Sequence, residues 1–162
     1  MGTGYEYRCD HCGYTLRTLP GTGMFYPVEY RDLVAQAKKG TYGNVVQIFL
    51  AEHPDGALDC SSALYRCSKC GEYETRPKMT MYLPKEKTDE EVILSIRFMR
   101  DGIDYVDPYE LKEKYKCAKR YIHKCADCGG RMKMIPESDL ARGIICPECK
   151  WKIYPSNMIM WD

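Results

Sequence analysis

Cys125-Ala126-Asp127-Cys128 and Cys146-Pro147-Glu148-Cys149 are two C-x-x-C pairs that follow each other closely near the end of the chain. A C-x-x-C turn places both sulfurs on one side of a tight loop, and two such turns supply the four thiolates of a tetrahedral metal site. The spacing between the two pairs is typical of a zinc ribbon. The sequence therefore predicts a metal site formed by Cys125, Cys128, Cys146 and Cys149.

Two further pairs, Cys9–Cys12 and Cys67–Cys70, repeat this pattern earlier in the chain. We predict that they form a second four-thiolate site, with the long segment between them folded as a compact insertion. An exchange of pairs between the two sites is the alternative grouping. We expect it less because it is less economical in chain closure.

The residues that flank these cysteines also suit bound thiolates. Glycine follows the second cysteine of three pairs, where it allows a positive φ and a close approach of backbone amides to sulfur, at Gly13, Gly71 and Gly129. Cations lie beside the ligands at Arg8, Arg66, Lys69, Lys124 and Lys150. Their expected role is to offset thiolate charge rather than to contact phosphate.

Zinc is the predicted metal, with one ion in each site. Disulfides are a poor alternative because the chain shows no secretory signal, and a redox C-x-x-C motif needs a βαβ context that is not evident. Iron is the second choice, because the segments Cys9–Tyr14 and Cys146–Cys149 resemble the two halves of a rubredoxin site. We assign those segments to different sites, and no E-x-x-H pairs for a di-iron bundle accompany them.

Composition limits the class of protein. The chain has 162 residues, which is enough for one ordinary domain or two small ones. Its formal net charge is +1, and each loaded four-thiolate site adds about −2, so the loaded protein should carry about −3. This charge disfavours broad nucleic-acid binding. The 10 cysteines, together with the absence of an apolar run of membrane-spanning length or an export signal, favour the cytoplasm and no membrane partner.

We predict a small, metal-stabilised α+β fold in three consecutive segments. Residues 1–84 form a zinc ribbon with a helical-hairpin insertion (27–53), residues 85–118 a strand–helix connector, and residues 119–162 a second zinc ribbon. The insertion contains helices from Pro27 to Lys39 and from Asn44 to His53. In the connector, the sequence predicts a charged linker from Lys85 to Glu91 and a strand from Val92 to Met99. A turn at Arg100-Asp101-Gly102 follows, and then a helix capped by Asp107.

Two cysteines, Cys60 and Cys117, lie outside the pairs. A thiol nucleophile needs an adjacent base, and the histidines are scattered along the chain at His11, His53 and His123. We therefore interpret Cys60 and Cys117 as small packing residues and predict no catalytic residue. A thiol-based redox or electron-transfer protein stays the weakest functional hypothesis.

Cations and aromatic rings alternate just before the last two C-x-x-C pairs. Such a segment can bind nucleic acid, because rings stack on bases while cations meet phosphates. The candidate residues are Lys116, Lys119, Arg120, Tyr121 and Lys124. A solvated helix end beside a metal site would have a similar composition, so a nucleic-acid partner is the alternative here and a protein partner the first expectation.

The four C-x-x-C elements make the chain resemble tandem zinc-ribbon proteins. The order Gly2-Thr3-Gly4-Tyr5, Cys9–Tyr14, Gly21-Thr22-Gly23, His53-Pro54-Asp55-Gly56-Ala57 and Cys67–Gly71 also resembles uncharacterised zinc-ribbon proteins of gut Firmicutes. The zinc-ribbon resemblance implies structural metal and hairpins, and members of that group include transcription, translation and adaptor factors. We therefore predict a structural-zinc interaction module, an adaptor or regulator without catalytic activity.

Overall fold

The computed structural model describes residues 2–85, 98–100 and 103–161. In chain order the elements are β1 (Gly2–Arg8), β2 (Thr15–Thr18), α1 (Tyr26–Lys38), α2 (Gly43–Glu52), β3 (Ala57–Asp59), β4 (Ser62–Cys67), β5 (Tyr73–Pro77), β6 (Thr80–Pro84), β7 (Phe98–Arg100), β8 (Ile103–Tyr105), α3 (Pro108–Lys114), β9 (Tyr115–Lys119), β10 (Met132–Met134), α4 (Glu137–Leu140), β11 (Ile144–Ile145), β12 (Lys152–Ile153) and β13 (Pro155–Trp161). Short helices and small antiparallel sheets confirm the predicted α+β class.

The chain divides into two compact units, and each combines segments that are distant in sequence. The cysteine unit consists of Met1–Gly23, Ser62–Pro77 and Ile122–Asp162, and the helical unit of Met24–Ser61 and Lys78–Tyr121. This division departs from the three consecutive segments 1–84, 85–118 and 119–162. Strand pairing is the physical reason, because it joins the beginning of the chain to its end and the middle to the last third.

Antiparallel pairings between distant segments build the cysteine unit. β1 is the central strand of a sheet with the order β13-β1-β2, and its register runs from Gly2↔Trp161 to Tyr7↔Pro155. β4 is the central strand of a second sheet with the order β10-β4-β5. β11 and β12 form a short hairpin around the last C-x-x-C pair. These sheets bring together C-x-x-C turns that lie far apart in sequence.

Two buried tyrosines connect these strands in the core of the cysteine unit. The Tyr7 hydroxyl donates a hydrogen bond to the Leu140 carbonyl at 2.8 Å, and the Tyr73 hydroxyl donates to the Ile145 carbonyl at 3.0 Å. Burial raises the pKa of Tyr7, so this hydroxyl stays a hydrogen-bond donor at physiological pH. Both rings pack with Leu64, whose side chain is fully buried.

The helical unit packs helices around a three-stranded sheet with the order β3-β6-β9. α1 begins with Pro27 in its first turn, a position where the missing N–H of proline costs nothing. The core of the helical unit combines side chains from the helices, the sheet and the segments between them: Tyr30, Val46, Leu58, Met79, Met81, Val106 and Leu111. The predicted helices lie within about a residue of their observed ends at α1 and α2.

The described residues of the predicted connector lie in the helical unit. The Asp107 carboxylate accepts a hydrogen bond from the Tyr109 N–H at 2.8 Å and caps α3, as predicted. The predicted linker beyond Lys85, the strand residues from 92 to 97 and the turn residues 101–102 lie outside the described residues. Within the described part of the chain, every helix is too short or too polar to cross a membrane.

Candidate metal centres

The first four-cysteine cluster, here called the terminal site, combines Cys9 and Cys12 with Cys146 and Cys149. All four sulfurs lie within 4.8 Å of one another. The closest pairs across the site are Cys9 Sγ–Cys149 Sγ at 3.4 Å and Cys12 Sγ–Cys146 Sγ at 3.5 Å. The His11 ring stacks on the Trp151 ring, with centroids 4.9 Å apart, so the two turns also contact each other outside the sulfurs.

The second cluster, here called the central site, combines Cys67 and Cys70 with Cys125 and Cys128. Its cross-site sulfur distances are 3.4 Å from Cys67 to Cys128, 3.7 Å from Cys70 to Cys125 and 3.5 Å from Cys70 to Cys128. The backbone N–H and the hydroxyl of Ser68 both donate to the Arg131 carbonyl, at 2.9 and 2.8 Å. These bonds join one cysteine turn to the strand that follows the other.

The predicted grouping of the cysteines was therefore wrong, although all eight ligand candidates fall in the two clusters. Cys9–Cys12 meets Cys146–Cys149 because β1 pairs with β13, which follows the last turn. Cys67–Cys70 meets Cys125–Cys128 because β4 pairs with β10 and places Met132 opposite Cys67. Loop closure was a weak criterion, since doubling a loop costs only about 0.6 kcal/mol.

All four C-x-x-C turns share one backbone pattern, and each is called a knuckle below. The N–H of the first cysteine donates to the carbonyl five residues later, at 2.8 Å in every knuckle: Cys9 to Tyr14, Cys67 to Glu72, Cys125 to Gly130 and Cys146 to Trp151. The N–H four residues after the first cysteine donates back to that cysteine's carbonyl, at 2.8–3.1 Å, from Gly13, Gly71, Gly129 and Lys150. Each knuckle is thus a closed, preorganised turn.

The returning N–H always belongs to a residue with positive φ. In three knuckles it is glycine, with φ of 81° at Gly13, 87° at Gly71 and 67° at Gly129, as the sequence predicted. In the fourth it is Lys150, with φ of 66°. A side chain in the left-handed region costs about 1 kcal/mol or more. The terminal site therefore contains a strained residue that the central site lacks.

The geometry of both clusters fits a tetrahedral metal ion. Zinc bonded to four sulfurs at about 2.3 Å places the sulfurs about 3.8 Å apart, close to the 3.4–3.7 Å observed. A disulfide needs about 2.05 Å, and all ten cysteines are free thiols. Tetrahedral four-sulfur sites suit zinc or iron. The two clusters are thus candidate sites for one metal ion each.

The knuckles lower the pKa of one cysteine in each site and so favour its thiolate form. At Cys67 the backbone N–H groups of Cys70 and Lys69 lower the pKa to about 6, against the effect of burial. At Cys9 burial raises the pKa, but the N–H groups of Cys12 and His11 and the Cys149 thiol outweigh it, so the pKa is lowered to about 7. Metal binding requires thiolates, and these two ionise most readily.

Position 130 requires glycine, because the neighbouring atoms of the central site leave no room for a Cβ there. A Cβ on Gly130 would lie 2.9 Å from Cys67 Sγ and 2.8 Å from Lys69 Cβ. Contacts under 3.0 Å force something to shift, and here the obstacles are a ligand sulfur and the base of a neighbouring side chain. The sequence prediction missed this residue, although the doubled glycine after Cys128 was a visible signal.

The candidate nucleic-acid residues fall in different units. Lys116 and Lys119 are exposed on β9, an edge strand of the helical unit, and Arg120 follows them. Tyr121 lies against the Tyr42 ring, with centroids 6.0 Å apart, so its ring is already engaged. Lys124 is exposed in the cysteine unit, next to the knuckle of Cys125.

The remaining cysteines lie apart from the two clusters. Cys60 is buried in the core of the helical unit, and Cys117 is exposed on β9. Burial and the nearby Asp59 charge raise the pKa of Cys60.

Comparison of the chain with family models, with curated proteins and with solved structures returned no match. Two clusters of four cysteines in C-x-x-C pairs fit a tandem zinc-ribbon arrangement.

Proposed function

We propose that the protein is a structural-zinc interaction module, an adaptor or regulator without catalytic activity of its own. The observation that carries this proposal is that four thiolates from distant knuckles close each centre. A closed site offers no coordination position to water or substrate. Each ion would then tie two remote segments together and hold the surrounding loops rigid for a partner.

The environment of the spare thiols supports a non-catalytic role. A buried thiol with a raised pKa is a poor nucleophile, which describes Cys60. Each histidine is engaged by a group other than a thiol: the Trp151 ring for His11, the Phe49 ring for His53 and the Pro77 carbonyl for His123. Among these contacts no thiol–imidazole pair is available for nucleophilic catalysis.

Zinc is the proposed ion in both sites, and iron in the terminal site is the specific alternative. The two segments that resemble rubredoxin halves, Cys9–Tyr14 and Cys146–Cys149, lie together in the terminal site. The reason for assigning them to separate sites therefore no longer holds. The fourth knuckle departs from its three counterparts by having Lys150 in place of glycine. Elemental analysis separates the two metals, and a ferric four-thiolate centre would also colour the protein.

A nucleic-acid-binding regulator is the second candidate function. The supporting observation is the exposed edge strand β9, which presents Lys116 and Lys119 without a neighbouring strand on its outer side in the described chain. Cysteine pairs of the two clusters come from both halves of the chain, so a binding surface made by an independent C-terminal ribbon is not part of this proposal. Binding through β9 predicts affinity that falls steeply with salt.

We propose a cytoplasmic location, because a chain with 10 cysteines that supply metal ligands suits a reducing compartment. The resemblance to uncharacterised zinc-ribbon proteins of gut Firmicutes is compatible with this function and supplies no activity. Protein is the proposed partner class, in line with a loaded charge of about −3.

Affinity capture of the metal-loaded protein from its host, with and without nuclease, tests the proposal. The matched variants are Cys12→Ser/Cys149→Ser, which opens the terminal site, and Cys60→Ala, which leaves both sites intact. We expect protein partners that survive nuclease, bind the Cys60→Ala variant and are lost with the open site. Partners released by nuclease would favour the second candidate, and catalytic turnover by the metal-loaded protein would refute the first.

A further inference from the structure

A cavity of about 410 Å³ opens in the cysteine unit beside the central site. Its lining includes the knuckle of Cys67 and Cys70 and four cations, Arg66, Lys69, Lys133 and Lys150. No carboxylate is among the described residues that line it. Three of the cations, Lys69, Lys133 and Lys150, are exposed to solvent and hence reachable from outside.

Two of the cationic groups converge on one point above Gly71. A Cβ on Gly71 would lie 3.6 Å from Arg66 Nη2 and 3.7 Å from Lys150 Nζ. Gly71 has no side chain and a φ of 87°, so its backbone leaves this point open. Lys150 Nζ also donates a hydrogen bond to the Pro147 carbonyl, which holds the ammonium beside the guanidinium. The two positive groups repel each other, and an anion between them would offset this repulsion.

A third cation increases this repulsion. Arg66 on β4 lies directly opposite Lys133 on β10. Like charges at opposite positions of paired strands are destabilising. Arg66 Nε is also buried without a hydrogen-bond partner, and within the described chain none of the four cations forms an ion pair with a carboxylate. The Nε donor is thus unused, and Nη2 is the guanidinium atom that lies close to the open point above Gly71.

Thiolates of both centres lie near these cations, and each loaded four-thiolate centre carries about −2. Arg66, Lys69 and Lys133 belong to segments of the central site, whereas Lys150 lies in the fourth knuckle, beside Cys149 of the terminal site. The four cations nevertheless meet at one open cavity whose described lining has no carboxylate, where an oxyanion can contact several of them at once. Arginine supplies a planar fork of donors for such an anion, and lysines supply point charges.

We propose that this cavity is a binding site for a phosphate group, held by Arg66, Lys133 and Lys150 over Gly71. The phosphate can belong to a free or small phosphorylated molecule or to the backbone of a nucleic-acid strand. Both sources present the same tetrahedral oxyanion to these cations. The site requires both four-cysteine centres to be folded, because Arg66 and Lys133 lie on strands of the central site and Lys150 lies in a knuckle of the terminal site. It does not depend on the identity of the interaction partner.

The test is a titration of the metal-loaded, isotope-labelled full chain, followed by amide shifts at constant pH and ionic strength. The probes are inorganic phosphate, a nucleoside monophosphate and a short single-stranded oligonucleotide. The binding variant is Lys133→Gln/Lys150→Gly, which removes two cations and replaces a strained lysine by glycine. The charge-matched control is Lys39→Gln/Lys112→Gln, both exposed in the helical unit and outside the cavity. Lys133→Gln alone, on an exposed strand position, is the second binding variant.

We expect saturable shifts around Arg66, Gly71, Lys133 and Lys150, with at least tenfold weaker binding in the double variant, a smaller loss in Lys133→Gln and no change in the control. A stronger response to the oligonucleotide identifies a nucleic-acid backbone as the source of the phosphate, and a stronger response to the small probes identifies a free phosphate. If the cations only offset thiolate charge, no probe gives saturable shifts at these residues. That result, or equal binding by the double variant and the control, overturns the proposal.

Discussion

Paired cysteine substitutions test the grouping of the knuckles directly. The structure groups Cys12 with Cys149 in the terminal site and Cys70 with Cys128 in the central site. Grouping by sequence proximity instead places Cys12 with Cys70. Serine replaces sulfur with little change in size but is a poor ligand for zinc. These four cysteines are the exposed or partly exposed members of their sites, so their substitution disturbs packing least.

The two groupings predict opposite metal counts. Cys12→Ser/Cys149→Ser damages one site in the structure and should retain one metal ion, whereas grouping by proximity predicts damage to both sites. Cys12→Ser/Cys70→Ser damages both sites in the structure and should retain none. A structural zinc ion binds with about 10–16 kcal/mol of apparent free energy, so an intact four-thiolate site should keep its ion under mild chelation. A site that has lost one or two of its thiolates binds the ion more weakly and should release it to the chelator.

Metal per protein is measured by elemental analysis after gel filtration with a weak chelator. The reasoning is refuted if Cys12→Ser/Cys70→Ser retains one ion and Cys12→Ser/Cys149→Ser retains none. Oxidation of the unmodified protein gives an independent reading, because cross-site sulfurs only 3.4–3.7 Å apart should form disulfides as metal leaves. Peptide mapping should find links between the first and last knuckles, and links between the first and second knuckles would also refute the grouping.

Three further changes test individual features. Lys150→Gly should stabilise the cysteine unit by about 0.5–1 kcal/mol, because glycine adopts a φ of 66° without strain; thermal unfolding of the loaded protein measures this, and a lower melting temperature would contradict it. Gly130→Ala should weaken metal retention in the central site and spare the terminal site, because a Cβ would approach Cys67 Sγ to 2.9 Å; chelator competition would show equal loss from both sites if this were wrong. Burial lowers the pKa of His123, despite its bond to the Pro77 carbonyl. As pH falls, the His123 imidazole therefore becomes protonated in the unfolded chain at a higher pH than in the folded protein, and the free energy of unfolding should fall as pH drops through about 6.5. Denaturant titrations at several pH values should show a flatter dependence for His123→Gln.

Local structure could be predicted from the sequence because local signals determine it. Pro27 and Asp107 mark helix starts that the structure contains at α1 and α3. The glycines after three C-x-x-C pairs correctly indicated positive φ. Each of these features depends on residues within a few positions, so a single sequence contains the necessary information.

Long-range pairing could not be predicted in the same way. The strand β13 carries no local mark of its pairing with β1, and β10 is only three residues long. The one available signal was the resemblance of Cys9–Tyr14 and Cys146–Cys149 to two halves of one site. Sequence proximity was given more weight, although the loop-closure penalty grows only slowly with length.

Because the four knuckles have the same backbone hydrogen bonds, a knuckle cannot itself select its partner. Selection must come from the strands that lead into and out of each turn. β1 and β13 align the first and last knuckles, and β4 and β10 align the middle two. Metal ions then stabilise the arrangement that the strand register determines. The binding free energy of each ion therefore depends on strand pairing far from its sulfurs. Weakening the β1–β13 pairing should consequently lower metal affinity in the terminal site more than in the central site.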